Sequence, residues 1–198
     1  MADILLFGPK NSGKTQLCYS FKGDSYSDPI QTREEDYSVS KGGLFGALGL
    51  SNTTIHEIGG KDIYLYDKAF LKDAFAKNKI IVFVFNGNTL IKEMQNYKEG
   101  GYITSLISCY VKPALSGVEG DNKKFDILFI ATHADQYSGA SDMESEIFEA
   151  MEKANKEYHS VANAIRYPFK DLLRGNIFCV DATNPKDVTK IFEQINKG

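Results

Sequence analysis

Asp3 to Thr15 reads Asp-Ile-Leu-Leu-Phe-Gly-Pro-Lys-Asn-Ser-Gly-Lys-Thr. The apolar run Ile4–Phe7 predicts a short strand. It leads directly into Gly8-Pro9-Lys10-Asn11-Ser12-Gly13-Lys14-Thr15, a G-x-x-x-x-G-K-T pattern. Glycine at both ends of that pattern lets the backbone turn successive N–H groups into one concavity, a shape that suits phosphate oxygens. Lys14 offers a cation to the outer phosphates, and the Thr15 hydroxyl is a ligand for Mg2+. A helix starting near Lys14 would aim the positive end of its dipole at the same anion. The competing reading is a glycine turn with a chance Lys-Thr. It leaves unexplained why a strand precedes the turn and a helix follows it, where phosphate binding requires them.

The sequence has 198 residues, enough for one α/β domain with a full core. With 42% hydrophobic and 25% charged residues it has the composition of an ordinary globular protein. A formal net charge of −3 provides no general attraction to nucleic acid or anionic lipid. Cys18, Cys109 and Cys179 are far apart and odd in number, which points away from a disulfide framework or zinc site and toward a reducing compartment. No apolar run reaches the ~18 residues of a membrane-spanning helix. The first residues resemble no leader peptide and carry no myristoylation glycine, and the last carry no prenylation cysteine. The expectation is therefore a cytoplasmic protein without a membrane anchor of its own, recruited to a membrane or organelle, if at all, by a partner.

Strand-like runs recur at Ile4–Phe7, Ile80–Phe85, Ile127–Ala131 and Ile177–Val180. Each is apolar throughout, as strands covered on both faces are. Helical periodicity between them predicts a mostly parallel sheet wrapped by helices. One helix is expected from Asp142 to about Ile165, on the stripe Met143, Ile147, Met151, Ala154, Tyr158, Val161 and Ile165, with Ser141 and Glu144 at capping-box spacing. Another follows Asn184, with Pro185 at its first position and Val188, Ile191, Phe192 and Ile195 turned inward. Segment 23–37 reads as an exposed loop. Segment 41–51 is both glycine-rich and apolar; it reads either as a hairpin tip tucked onto the body or as an exposed patch for a partner.

Four further elements stand in a telling order. Thr32, in the exposed loop, could complete a Mg2+ shell and sense a γ-phosphate. Glu57-Ile58-Gly59-Gly60-Lys61 places an acid to hold metal through water, and a glycine N–H for the γ-phosphate. Thr132-His133-Ala134-Asp135 follows the third apolar run. A carboxylate there can accept hydrogen bonds from guanine N1 and its exocyclic amine, and the His133 ring could lie on the base face. Asp181-Ala182-Thr183 follows the fourth run, where a backbone N–H can reach guanine O6.

Taken together, these motifs resemble the Ras superfamily of small GTPases over nearly the whole chain. The branch they most resemble is the ADP-ribosylation factor and signal-recognition-particle-receptor β group, on Glu57-Ile58-Gly59-Gly60 and the seventeen-residue gap from Thr15 to Thr32. Thr132-His133-Ala134-Asp135 looks like the Thr-His-x-Asp form found in Roc domains. The resemblance implies a single six-stranded domain with an antiparallel edge strand near Tyr37–Ser40, GTP or GDP and Mg2+ as cofactors, and an insertion at about 41–51. It implies nucleotide contacts from Gly8, Lys10, Asn11, Ser12, Gly13, Lys14, Thr15, Gln16, Thr32, Gly60, Thr132, His133, Asp135, Ala182 and Thr183. Thr15, Thr32 and, through water, Glu57 would hold the metal. Expected partners are an effector that reads the switch regions, together with activating and exchange proteins, and no nucleic acid.

This sequence departs from that pattern at the catalytic positions. Glu57 replaces the usual Asp, and Lys61 replaces the Gln that positions water. Lysine has no acceptor with which to orient a water molecule. Lys10 occupies a loop position where small residues are common and could reach over the γ-phosphate; Arg33 reads as a solvated loop charge, with an internal arginine finger as the rarer alternative. Two readings stay open: a GTP-hydrolysing switch with slow hydrolysis, or a GTP-locked pseudo-GTPase acting as a binding subunit. An ATP-binding protein with the same loop is a third, and requires Asp135 to be incidental.

Overall fold

A computed structural model of the chain describes residues 3–22, 34–38, 54–58, 80–96, 126–139, 142–157 and 177–195. Six strands form one sheet: β1 (Asp3–Phe7), β2 (Glu34–Ser38), β3 (Thr54–Ile58), β4 (Ile80–Asn86), β5 (Asp126–Thr132) and β6 (Ile177–Cys179). Their spatial order is β2-β3-β1-β4-β5-β6. All neighbours are parallel except β2 and β3, which pair antiparallel at the edge. The expected edge strand is therefore present, three residues earlier than the sequence placed its start.

Register explains why the runs are apolar throughout. Leu5 pairs with Ile81, and Phe7 with Phe83, which in turn pairs with Phe129. Phe7, Phe83, Phe85 and Phe129 are fully buried, each burial contributing roughly 1.5–3 kcal/mol. The Phe83 ring lies 5.1 Å from Phe7, 5.7 Å from Phe85 and 6.3 Å from Phe129, in tilted or edge arrangements that favour aromatic pairs. The alternate positions Ile4, Leu6, Val82, Val84, Leu128 and Ile130 form a second cluster with Leu17, Cys18, Val188 and Ile191. In β1, β4 and β5 both faces are thus packed, and these strands have no polar alternation to show.

Helix α1 (Lys14–Lys22) and helix α4 (Pro185–Ile195) supply Leu17, Cys18, Val188 and Ile191 to that second cluster. Helices α2 (Gly87–Asn96) and α3 (Met143–Glu157) bury Leu90, Ile91, Met143 and Ile147. They meet at Gly87, where an added Cβ would stand 2.2 Å from Met143 Cε and 3.2 Å from Ala131 Cβ. Helix α2 was not expected from the sequence. It starts abruptly after β4, where the Asn86 side chain accepts from the Thr89 N–H at 3.1 Å and caps it. Asp142 caps α3 through its carboxylate, which accepts from Glu144 N–H and Ser145 Oγ, each at 3.4 Å; Ser141, expected to form a capping box with Glu144, lies outside the described residues. The first residue of α4 is Pro185, as read, and Asn184 caps it through the Lys186 N–H at 3.1 Å. Among the described residues, no helix is long and apolar enough to cross a membrane.

The strand order reverses at β1: β3 lies on one side of it and β4 on the other. In open α/β sheets the crevice beyond the carboxyl ends of the strands at such a point is where ligands bind. The loops leaving β1, β5 and β6 all open there.

Candidate nucleotide site

Residues 8–13 turn the chain from β1 into α1, and three backbone conformations make the turn possible. Gly8 has φ +151°, Asn11 φ 59° and Gly13 φ 83°. At Gly8 a Cβ would fall 1.9 Å from the Val84 carbonyl oxygen, so only glycine fits against β4. Asn11 takes the left-handed conformation that asparagine tolerates better than most residues. The first backbone bond of the helix follows at once, from Leu17 N–H to Gly13 oxygen at 2.9 Å. A helix's first turn leaves N–H groups without intrahelical acceptors, and these face the concavity of the loop.

Lys14 is 5% exposed, and the loop is wrapped round its ammonium group. Its Nζ donates to the carbonyls of Gly8 at 3.1 Å and Pro9 at 2.9 Å, and to Ser12 Oγ at 3.3 Å. Burial lowers its pKa from 10.5 to about 8, with the charge of Glu57 and then Cys18 pulling part of the way back. A buried cation held by neutral acceptors is a charge kept ready for an anion.

Thr15 Oγ1 donates to Glu57 Oε1 at 2.9 Å. Glu57 is the fourth residue of β3, beside Leu6 of β1 in register, and it is 1% exposed. These are two hard oxygen donors next to the phosphate loop, a donor set suited to Mg2+ rather than to a nitrogen- and sulfur-seeking metal. The extra methylene of Glu57 does not take its carboxylate away from Thr15. Lys10 and Asn11 are exposed on the crest of the loop and Ser12 is buried beneath it. Gln16 is half-buried and its Nε2 donates to Ser20 Oγ at 3.4 Å.

The second half of the crevice is assembled from the loops after β5 and β6. Thr132 is fully buried, and its Oγ1 donates within 2.7 Å of the Ser12 carbonyl and 3.1 Å of the Phe85 carbonyl. This threonine therefore clamps the phosphate loop to β4 and β5, and Gly13 lies against it: a Cβ there would meet Thr132 Cγ2 at 3.3 Å. His133 is left-handed at φ 65°, and its carbonyl accepts from Asn88 Nδ2 at 2.8 Å. Its Nδ1 lies 2.8 Å from Thr132 Oγ1, which anchors the ring instead of leaving it free to swing. Asp135 lies in the short 3-10 turn Ala134–Gln136 with its carboxylate exposed.

The two loops are stitched together by backbone bonds, Val180 N–H to Ala131 oxygen at 2.9 Å and Ala134 N–H to Val180 oxygen at 3.2 Å. Ser20 of α1 donates to the Ala182 carbonyl at 2.7 Å and brings that loop beside the helix that leaves the phosphate loop. Thr183 does not have the freedom expected of it. Its N–H and hydroxyl both donate to Asp181 Oδ1, at 2.8 and 2.6 Å. Of the two positions expected to serve the base here, the Thr183 N–H is thus engaged by Asp181.

The structure thus brings together Gly8 to Gln16, Glu57, Thr132, His133, Asp135 and Ala182. Thr32, Arg33, Gly60, Lys61 and the insertion at 41–51 lie outside the described residues. Asn88 and Ser20 were missed in the sequence. Asn88 stands in the stretch Asn86-Gly87-Asn88 just after an apolar strand, a cap signal that could have been read; a serine inside a helix carries no comparable signal.

Among solved structures, the chain is similar to a probable GTP-binding protein, engB, with a TM-score of 0.61 and 12% identity, covering 99% of this chain and 97% of that one. It is similar to the mammalian SRP receptor, with a TM-score of 0.60 and 13% identity over 98% of both chains. A third is a dimerization-deficient mutant of Toc33 from Arabidopsis thaliana, with a TM-score of 0.58 and 13% identity over 97% of this chain and 83% of that one. No protein-family model and no curated protein sequence matches the chain. At such identities the likeness establishes the α/β fold.

Proposed function

We propose that the chain is a GTP-binding protein of the small-GTPase type, a Mg2+-dependent nucleotide switch with slow intrinsic hydrolysis. The observation that carries this reading is the buried Lys14 ammonium inside a glycine-turned loop, with the Thr15–Glu57 oxygen pair beside it. The solved neighbour described as a probable GTP-binding protein shares that fold and supports the reading as analogy. Lys14 and the loop N–H groups would take the phosphates. Asp135 would select guanine, with Ala182 offering its N–H to O6. Thr15, Glu57 through water, and Thr32 would hold Mg2+. When bound, the ion would neutralise charge on the outer phosphate oxygens.

Thr32 and Gly60 would sense the γ-phosphate and order their loops for an effector. Lys61 stands where a water-positioning Gln would serve, and this supports slow or partner-dependent hydrolysis. The sequence of this switch favours a second reading strongly enough to keep: a GTP-locked binding subunit, with the nucleotide as a structural cofactor. The placement in the ADP-ribosylation-factor-like branch, a cytoplasmic location and recruitment by a partner belong to the same proposal.

The deciding experiment is to denature freshly purified protein and identify the released nucleotide by chromatography, then follow loaded GTP for hours. GDP with measurable turnover supports the switch, and intact GTP supports the locked subunit. An empty pocket that takes up neither GTP nor ATP overturns both, and preference for ATP removes Asp135 from base recognition. Lys61→Gln should raise turnover if that position limits it; an unchanged rate would show that other departures do.

A further inference from the structure

Thr132 Oγ1 faces three groups at once: the Ser12 carbonyl at 2.7 Å, the Phe85 carbonyl at 3.1 Å and His133 Nδ1 at 2.8 Å. A hydroxyl has one proton and two lone pairs. Both carbonyls can only accept, so the hydroxyl proton is committed to them, first to the nearer one on Ser12. A bare Nδ1 would then be a third acceptor against a single proton, at hydrogen-bond distance and with nothing to share. A protonated Nδ1 resolves the arrangement, giving the chain Nδ1–H to Oγ1–H to the Ser12 carbonyl. The second anchor of the ring is its own backbone, held left-handed by Asn88 through the His133 carbonyl.

We propose that His133 is a positioning residue for the phosphate loop. It donates through Nδ1–H to Thr132, which frees the threonine proton to hold the Ser12 carbonyl. The sequence expectation was that this ring serves the base by lying on its face. The geometry assigns it a task on the phosphate side instead, linking residues 121 positions apart, Ser12 and His133, through one hydroxyl. Because Ser12 Oγ also accepts from Lys14, the same small loop segment is gripped at its carbonyl by Thr132 and at its side chain by the phosphate-seeking cation. This inference rests on the reading of residues 8–15 as a phosphate loop.

Two substitutions separate the roles of the ring. His133→Phe keeps an aromatic face and removes the donor. His133→Asn removes the ring and keeps an amide donor near the position of Nδ1, and asparagine also tolerates the left-handed backbone. Binding of GTP and of inorganic tripolyphosphate would be measured by calorimetry on the full chain, with thermal melts to confirm folding. We expect His133→Phe to weaken both ligands by roughly tenfold, as the loss of one buried hydrogen bond would, and His133→Asn to retain tripolyphosphate binding. Loss of GTP affinity in the Asn variant alone, with tripolyphosphate binding unchanged in both, would overturn the proposal and return the ring to the base.

The tautomer provides a readout independent of any ligand. Long-range nitrogen–proton NMR should find His133 protonated at Nδ1 at neutral pH, and the Nε2–H form would overturn the relay. A wild-type chain that binds neither ligand would overturn the phosphate-loop reading itself, and the tautomer would still decide the relay.

Discussion

The turn from β1 into α1 keeps Ser12 and Lys14 under cover, whereas the loops after β5 and β6 leave Asp135 and Thr183 in the open. On the phosphate side a lysine, a serine and a glutamate are buried, and the backbone is locked by contacts that admit no alternative side chain at Gly8. On the other side Asp135 and Thr183 are exposed, and the loops are held by a few backbone bonds and by Ser20 and Asn88 reaching in from elsewhere. Under the proposed function, the difference teaches where each half would derive its specificity. An anion needs charge and N–H groups fixed in space before it arrives, because water competes for every donor that is free to move. A base edge needs one or two correctly aimed groups on a frame that can be rigid beneath and open above.

The comparison can be broken first at Lys14. Lys14→Ala should weaken triphosphate binding by at least roughly a hundredfold, since two or more charge-assisted bonds are lost. Folding should survive, because the substitution also removes a buried charge. Equilibrium binding of a fluorescent nucleotide analogue beside a thermal melt would test both halves, and normal affinity would refute the assignment of the loop.

Next comes Gly8→Ala, which should destabilise the protein by about 3 kcal/mol or more by pushing β1 from β4. Urea denaturation measures it, and a midpoint equal to that of wild type would mean that the loop yields where the contact with Val84 oxygen says it cannot.

On the open side, Asp135→Asn should leave stability unchanged and move preference from GTP toward XTP by roughly a hundredfold, because the amide donates where xanthine has a carbonyl. Competition binding with the two nucleotides reads this directly, and an unaltered ratio would take Asp135 out of the base site.

The most gradual effect is in pH. Lys14 loses its proton at about 8 in the folded ligand-free chain, against 10.5 in an ordinary lysine. Between those values the unfolded state holds more protons, so this group's contribution to stability rises with pH, and its penalty is full below about 8. Anion binding runs the other way. It requires the charged form, so affinity should fall as pH rises past about 8, approaching tenfold per unit. An affinity flat to pH 10 would show that Lys14 is not linked to the bound anion.

Much of the closed side was legible because it is contiguous. Eight residues in a row carry both the turn geometry and the cation, and the apolar run before them declares a strand. The strands β4 and β5 were equally plain, since burial on both faces leaves nothing polar in Ile80–Phe85 or Ile127–Ala131. Helix α2 was missed because its start depends on an asparagine cap in a strand-helix junction without a loop. The sense of Thr132 and His133 was legible only as a motif: their neighbours Ser12 and Phe85 are 120 and 47 residues away.

The amino-acid sequence by itself determined that a phosphate-type loop joins a buried strand to a helix, because local spacing alone dictates where the glycines, the cation and the hydroxyl fall. It pointed to the class of the sheet as well, because four strand-length apolar runs without alternation, with helical periodicity between them, fit strands covered on both faces. Tertiary structure decided what each polar group does. Only the register of β3 on β1 brings Glu57 to Thr15, and only the pairing of β5 with β4 and β6 sets Thr132 under Ser12 and His133 beside Asn88. A hydrogen bond is a matter of tenths of an ångström between atoms that the chain places far apart, and no pattern along the chain records that distance.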